Sequence, residues 1–244
     1  MANAKSSARE AIATDAVRRE WRRRAEVEYR SSAYASQLTH WLLVMGAPPV
    51  ILRRGLRIVG DEIAHAELSH HVYVAAGGTE APQVSRESME LRRTANEPLE
   101  HDVTRVVVEV FCLGETVAVP LFHRLRRGCK VPVARKALDR VLRDEVRHRD
   151  FGWLTLEWLL SLPQAPALRA LVTRELGGAF TRLRDAYVPT SLARPLRPHF
   201  DERDRAWGLM PVDEYAAALR ETLPKMWVPR FAAHGLDAAR ACST

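Results

Sequence analysis

The chain has 244 residues, 47% of them apolar and 27% charged, which is enough for one sizeable core and too apolar for a disordered chain. Its formal charge of +7 is spread through interleaved Arg, Asp and Glu with no block of five like charges, which argues against nucleic acid as a partner. Cys112, Cys129 and Cys242 form no CxxC pair, so a disulfide framework, a zinc ribbon and an in-chain rubredoxin-type centre are disfavoured and a reducing cytoplasm fits.

Residues 1–9 lack an apolar stretch followed by a small-residue cleavage site, and read as a frayed polar lead-in rather than an export signal. Gly and Pro are scarce from residue 10 to 46. There the stripe Trp21, Ala25, Glu28, Ser32, Ala35, Thr39, Leu42 recurs at alternating spacings of three and four, which predicts a long first helix. Gly46-Ala47-Pro48-Pro49 stops it, and a second helix runs from about 50 to 76 until Gly77 and Gly78. The weakly polar run 41–52 is broken by Pro48 and Pro49 and falls short of the roughly 20 residues a membrane span needs.

Residues 77–98 show little periodicity, and such a length inside a compact domain suits a crossover along a helix pair. A third helix is predicted over 99–125 and a fourth from Pro132 to about 162. The β-like run 106–110 sits inside the third helix's pattern and is too isolated to pair. Two hairpins joined by one long connection predict an all-α, ferritin-like four-helix bundle over 1–163. Residues 164–244 read as a helical cap: a helix over about 166–187, an irregular stretch around Pro189, Pro195 and Pro198, and short helices near 213–223 and 226–233.

Chemistry concentrates in two DExxH motifs, Asp61-Glu62-Ile63-Ala64-His65 in the second helix and Asp144-Glu145-Val146-Arg147-His148 in the fourth. Helical residues three apart differ by about 60° and 4.5 Å, so Glu62 and His65, or Glu145 and His148, can address one metal-sized point. The pair Glu67 and His70 is turned about 140° away and is rejected. A bundle metal site also needs a carboxylate from each remaining helix. Glu28 lies on the apolar stripe while Glu26 does not, and Glu115 follows Phe111 and Cys112 on the inner face while Glu109 is off it.

The expected ligands are therefore Glu28, Glu62, His65, Glu115, Glu145 and His148. Four carboxylates and two imidazoles suit a pair of iron or manganese ions and give no preference for zinc. Asp61 and Asp144 are expected to accept from the outer imidazole nitrogens. Cys112 and Phe111 read as packing residues, and Trp153 as either core or pocket wall.

At these residues the chain resembles the ferritin-like di-iron carboxylate superfamily over about residues 18–162. The DExRH form at 144–148 looks like that of bacterial multicomponent monooxygenase hydroxylases and acyl-carrier-protein desaturases. Length and ligand spacing are similar to those of aldehyde-deformylating oxygenases. The resemblance implies that Glu115 and Glu62 or Glu145 bridge the metals, and that Asp61, Asp144 and Arg147 form hydrogen bonds around the histidines. Ser69, one turn after His65, stands where a ribonucleotide reductase small subunit resembling this pattern holds its radical tyrosine, so that role is disfavoured. Storage ferritins lack the second histidine-bearing motif and rubrerythrins add a cysteine-ligated iron centre, so both lose ground.

The expected function is an O₂-activating di-iron oxidoreductase, an oxygenase or oxidase acting on a small-molecule or acyl-type substrate. With neither a Rossmann glycine fingerprint nor a cysteine cluster, electrons would come from an external ferredoxin or flavin reductase. The alternatives are a ferroxidase or manganese-catalase-like protein and, behind them, a tRNA hydroxylase. A homodimer is favoured only by the general frequency of dimers.

Overall fold

The computed structural model describes residues 12–188 and 200–242, and among these every regular element is helical. The lead-in 1–9 and Pro189, Pro195 and Pro198 lie outside the described residues. Helix α1, Asp15–Val44, begins at Thr14, whose Oγ1 accepts from Val17 N at 3.2 Å and donates to Asp204 at 2.6 Å. The Thr14 side chain, on extended backbone, caps the helix at that point. Gly46, at φ +73°, turns the chain, and α2, Pro49–Ala75, starts with Pro in its first turn and ends before Gly77 at φ +85°.

The crossover lies along α1. Gln83 N donates to Glu26 Oε1 (3.0 Å), Tyr34 Oη to Ser88 O (3.0 Å) and Leu91 N to Gln37 Oε1 (3.0 Å). This advancing register carries the chain to the far end of α1, with one short 3₁₀ turn at Arg86–Met89. The next helix therefore runs parallel to α2 and antiparallel to α1. Asp102 fastens that junction, accepting from Thr94 N (3.0 Å), Thr94 Oγ1 (2.7 Å) and Arg93 Nε (2.7 Å).

Helix α3, Leu99–Gly128, is three residues longer than expected and contains a π-helical segment, Val107–Glu115. By length and composition it could cross a membrane, and it is more continuously apolar than the 41–52 run singled out in the sequence; half of that apolar window is buried inside the protein. Helix α4, Pro132–Leu159, packs on α2 and α3 and ends three residues early, where the backbone turns at Leu160. Gly152 permits close approach: a Cβ there would lie 2.6 Å from Phe111 Cβ and 2.8 Å from its carbonyl carbon.

Helix α5, Ala165–Tyr187, lies on α3, held by Arg105 to Glu175 at 2.9 Å. After α6, Glu202–Ala206, the two short helices expected near 213–223 and 226–233 form one continuous helix α7 over 212–233, because a π turn at Leu223–Trp227 carries the chain through instead of breaking it. Helix α8 is Ala238–Cys242. One hydrophobic cluster joins the long helices to this last third: Trp227 Nε1 donates to Cys112 O (3.1 Å) and Trp21 Nε1 to Trp207 O (2.9 Å). Burial of these apolar side chains, at about 25 cal/mol per Å², is the main force holding the C-terminal helices in place.

Candidate metal centre

The helical spacing of each DExxH motif places Glu and His on the inner faces of α2 and α4, where Glu62, His65, Glu145 and His148 are all at most 2% exposed. His65 Nδ1 lies 3.7 Å from Glu62 Oε2, 3.9 Å from Glu28 Oε2 and 3.9 Å from Glu145 Oε1. His148 Nδ1 lies 3.2 Å from Glu62 Oε1 and 3.7 Å from Glu145 Oε2. Ligand atoms of Glu28, Glu62 and His65 fall within 4.8 Å of one another, as do those of Glu62, Glu115 and His148. All six expected ligands thus meet in one place, with Glu62 common to both groups.

The cluster is poor in hydrogen bonds. Glu62 Oε2, His65 Nδ1, Glu145 Oε2 and both ring nitrogens of His148 are buried without a hydrogen-bond partner. Such atoms cost free energy unless something fills the space between them. A cation would do so, and the mixed oxygen and imidazole donor set fits one.

Outside this ring each aspartate stands opposite an imidazole of the facing motif, hydrogen-bonded in the case of Asp144 and in ion-pair contact in the case of Asp61. His65 Nε2 is 3.1 Å from Asp144 Oδ2, and His148 Nε2 faces Asp61 Oδ2 at 3.5 Å. Arg147 reaches both aspartates, at 3.0 Å to Asp61 and 2.5 Å to Asp144. Arg140, which lies outside both motifs and was not expected here, bonds Asp144 and approaches Asp61 at 3.5 Å. Its signal was present in the i, i+4 spacing to Asp144.

Charge follows from this packing. Burial, then the charge of Glu62, pushes the Glu28 carboxyl well above the usual carboxylate range, and burial with Glu115 does the same to Glu145. Burial also raises Glu115. For Glu62 burial acts in the same upward direction, but the His148 and His65 imidazoles overcome it and hold the group at about 2. His148 is depressed by burial yet raised by Asp61 and Glu62 to about 10. Such divided behaviour follows from packing four carboxylates and two imidazoles into one buried space.

Comparison with known proteins gives no match: no family model fits the chain, and no curated protein or solved structure is similar to it.

The rejected acids point elsewhere. Glu67 is exposed, Glu26 binds Gln83 N and Arg22, and Glu109 pairs with Arg182. Trp153 belongs to the core, donating to Thr116 Oγ1 at 3.0 Å and packing edge-on to Phe231. Cys112 and Phe111 are packed in the core as expected. A cavity of about 220 Å³ opens beside the cluster and is lined by Glu28, Glu62, Glu115 and Glu145. Tyr187 and Tyr215 from the last third also line it, and nothing in the sequence pattern marks them.

Proposed function

We propose that the chain is an O₂-activating di-iron oxidoreductase, with α1 to α4 forming a ferritin-like four-helix bundle and the segments after residue 163 a cap over it. The observation that carries this reading is the convergence of four buried, unpartnered donor atoms, from Glu62, His65, Glu145 and His148, at one point. Two donor groups sharing Glu62 suit two ions, and carboxylates with imidazoles suit iron or manganese. Bound iron would supply the activation of O₂ for oxidation of an organic substrate.

The chain's own residues provide the remainder. Asp144 bonds His65 and Asp61 faces His148; against burial, Arg140, His65 and Arg147 hold Asp144 ionised, and His148 and Arg147 hold Asp61 ionised. Apolar side chains such as Val108, Phe111 and Phe151 keep water from the inner side, while the cavity gives a substrate access to the carboxylates. Electrons come from a separate ferredoxin or flavin reductase in this reading.

Metal analysis of protein purified anaerobically, followed by mixing with O₂, tests it. About two irons per chain and a transient visible absorption are expected. Protein that binds no transition metal refutes the proposal. Rapid uptake and oxidation of iron with no organic substrate turned over would replace it with a ferroxidase.

A further inference from the structure

The cavity beside the cluster extends well beyond the metal ligands. It is lined on α1 from Glu20 to Ser31 and on α3 from Val110 to Leu125, lengths of about 17 Å and about 22 Å at the helical rise. Because α1 and α3 run antiparallel, Glu28 stands at the level of Glu115, and Glu20 to Arg24 at the level of Ala118 to Leu125. One end therefore holds four glutamates. The other holds two guanidinium groups and the Glu20 carboxylate that bonds both.

Arg23 is half exposed and is gripped by Glu20, from Nε at 3.0 Å and Nη2 at 2.9 Å, which orients its planar fork. Arg24 lies behind it, 6% exposed; Nε reaches Glu20 Oε1 at 3.3 Å and Nη2 reaches Gly208 O at 2.9 Å, but Nη1 is buried with no acceptor. Tyr187 and Tyr215, stacked with ring centroids 6.0 Å apart, line the same cavity, and both are electrostatically coupled to Arg23. The α3 wall opposite the arginines is apolar, with Ala118, Leu121 and Phe122, and Val27 lies between the arginines and Glu28 on α1. Arg24 is one turn, about 6 Å, from Glu28 along α1.

We propose that this cavity binds a small organic acid, with its carboxylate at the Arg23 end and its apolar body reaching towards Glu28 and Glu115. Glu20 takes the Nε–Nη2 edge of Arg23, so the donors that face a ligand carboxylate are Arg23 Nη1 and the unpartnered Arg24 Nη1, and the apolar walls take a hydrocarbon body. The assignment deepens the metal reading and rests on it for what the bound acid is for, a substrate held with its body towards the metal-binding end; binding of the acid itself needs only the arginine end. A volume of about 220 Å³ limits the ligand to a small molecule rather than a long acyl chain.

Calorimetric titration of the purified protein with hexanoate, hexanamide and hexylamine tests this, with the metal content of every sample measured. Hexanoate is expected to bind at least about tenfold tighter than the other two, and Arg23→Gln to weaken it by about tenfold with partial recovery in Arg23→Lys. Ala118→Leu, which fills the cavity without touching a charge, is expected to weaken hexanoate and hexanamide alike. Equal affinity for the three probes, no binding of hexanoate, or wild-type affinity in a folded Arg23→Gln protein overturns the proposal. Two metals without hexanoate selectivity overturn the acid site alone. Selectivity dependent on Arg23 in protein that takes up no metal overturns the metal reading and leaves the acid site standing.

Discussion

His65 on α2 directs its Nε2 at Asp144 on α4, 3.1 Å away, and so draws its carboxylate from the opposite DExxH motif. His148 faces Asp61 of α2 in return, at 3.5 Å. The two motifs are crossed, each imidazole set against the other motif's aspartate, with the hydrogen bond made at Asp144. Asp144→Asn is therefore expected to weaken metal binding about 10- to 100-fold, and Asp61→Asn to have a smaller effect because its contact is longer. Chelator competition measures both. Equal losses, or none for Asp144→Asn, would contradict the crossed arrangement.

The convergence of the six side chains was legible because its signal is geometric: an i, i+3 pair on a helix must share a face, and Glu28 and Glu115, unlike Glu26 and Glu109, sit on the inner stripes of the other two helices. Helix ends were legible within a few residues where Gly46, Pro49, Gly77 and Pro132 punctuate the chain. The π segment ending at Glu115 was not, since an extra residue per turn leaves no mark in composition. Tyr187, Tyr215 and Arg23 were missed for another reason. They meet only through the tertiary packing of α5 and α7 over α1, which periodicity within one helix cannot encode.

Glu62 belongs to both donor groups, whereas Glu28 and Glu115 each belong to one. Removing it should therefore cost more than one ion. Glu62→Ala is expected to lower the metal content below about one per chain, while Glu28→Ala and Glu115→Ala each leave about one. Elemental analysis after anaerobic loading checks the stoichiometry. A Glu62→Ala protein that keeps both ions would show that the shared carboxylate is not a ligand.

Metal loading should release protons. Burial raises Glu28 and Glu145 well above the ordinary value of 4.5, and His148 stands at about 10, against 6.5, through Asp61 and Glu62. Groups with raised values stabilise the metal-free fold fully only below their unfolded values. That contribution fades as pH climbs through the folded values. Ligation needs the same atoms unprotonated, so affinity should rise as pH climbs towards about 10, where His148 gives up its proton. Titrations in buffers of different ionisation enthalpy should show net release of about one proton or more per chain. Proton uptake would contradict the assignment.

Asp102 ties the end of the crossover to α3 through Thr94, Arg93 and Arg105, the last at 3.0 Å. Burial alone would raise its carboxyl, but the Thr94 and Arg93 bonds lower it below the ordinary 3.8. Its contribution is present above 3.8 and is lost as pH falls through the lower, folded value. Asp102→Ala is expected to cost about 2–3 kcal/mol at pH 7 by urea denaturation, the scale of lost bonds to a charged group. The difference from wild type should shrink near pH 3. A pH-independent difference would mean that the carboxylate charge plays no part.

Gly152, one turn beyond His148, lets α4 approach the π segment of α3 so closely that a Cβ would meet Phe111 Cβ at 2.6 Å, its carbonyl carbon at 2.8 Å and Cys112 N at 3.1 Å. Two of these neighbours are backbone atoms, which cannot swing aside. Ala ordinarily favours a helix over Gly by up to about 1 kcal/mol. Here the clash should outweigh that gain, and Gly152→Ala is expected to destabilise by about 1–3 kcal/mol. Gly60, on the exposed side of α2 with nothing within 4 Å of the point a methyl group would occupy, provides the contrast. Gly60→Ala should stabilise by about 0.5–1 kcal/mol. Urea denaturation of the two variants should therefore move in opposite directions, and a Gly152→Ala protein as stable as Gly60→Ala would mean that α3 and α4 are not pressed together beside His148.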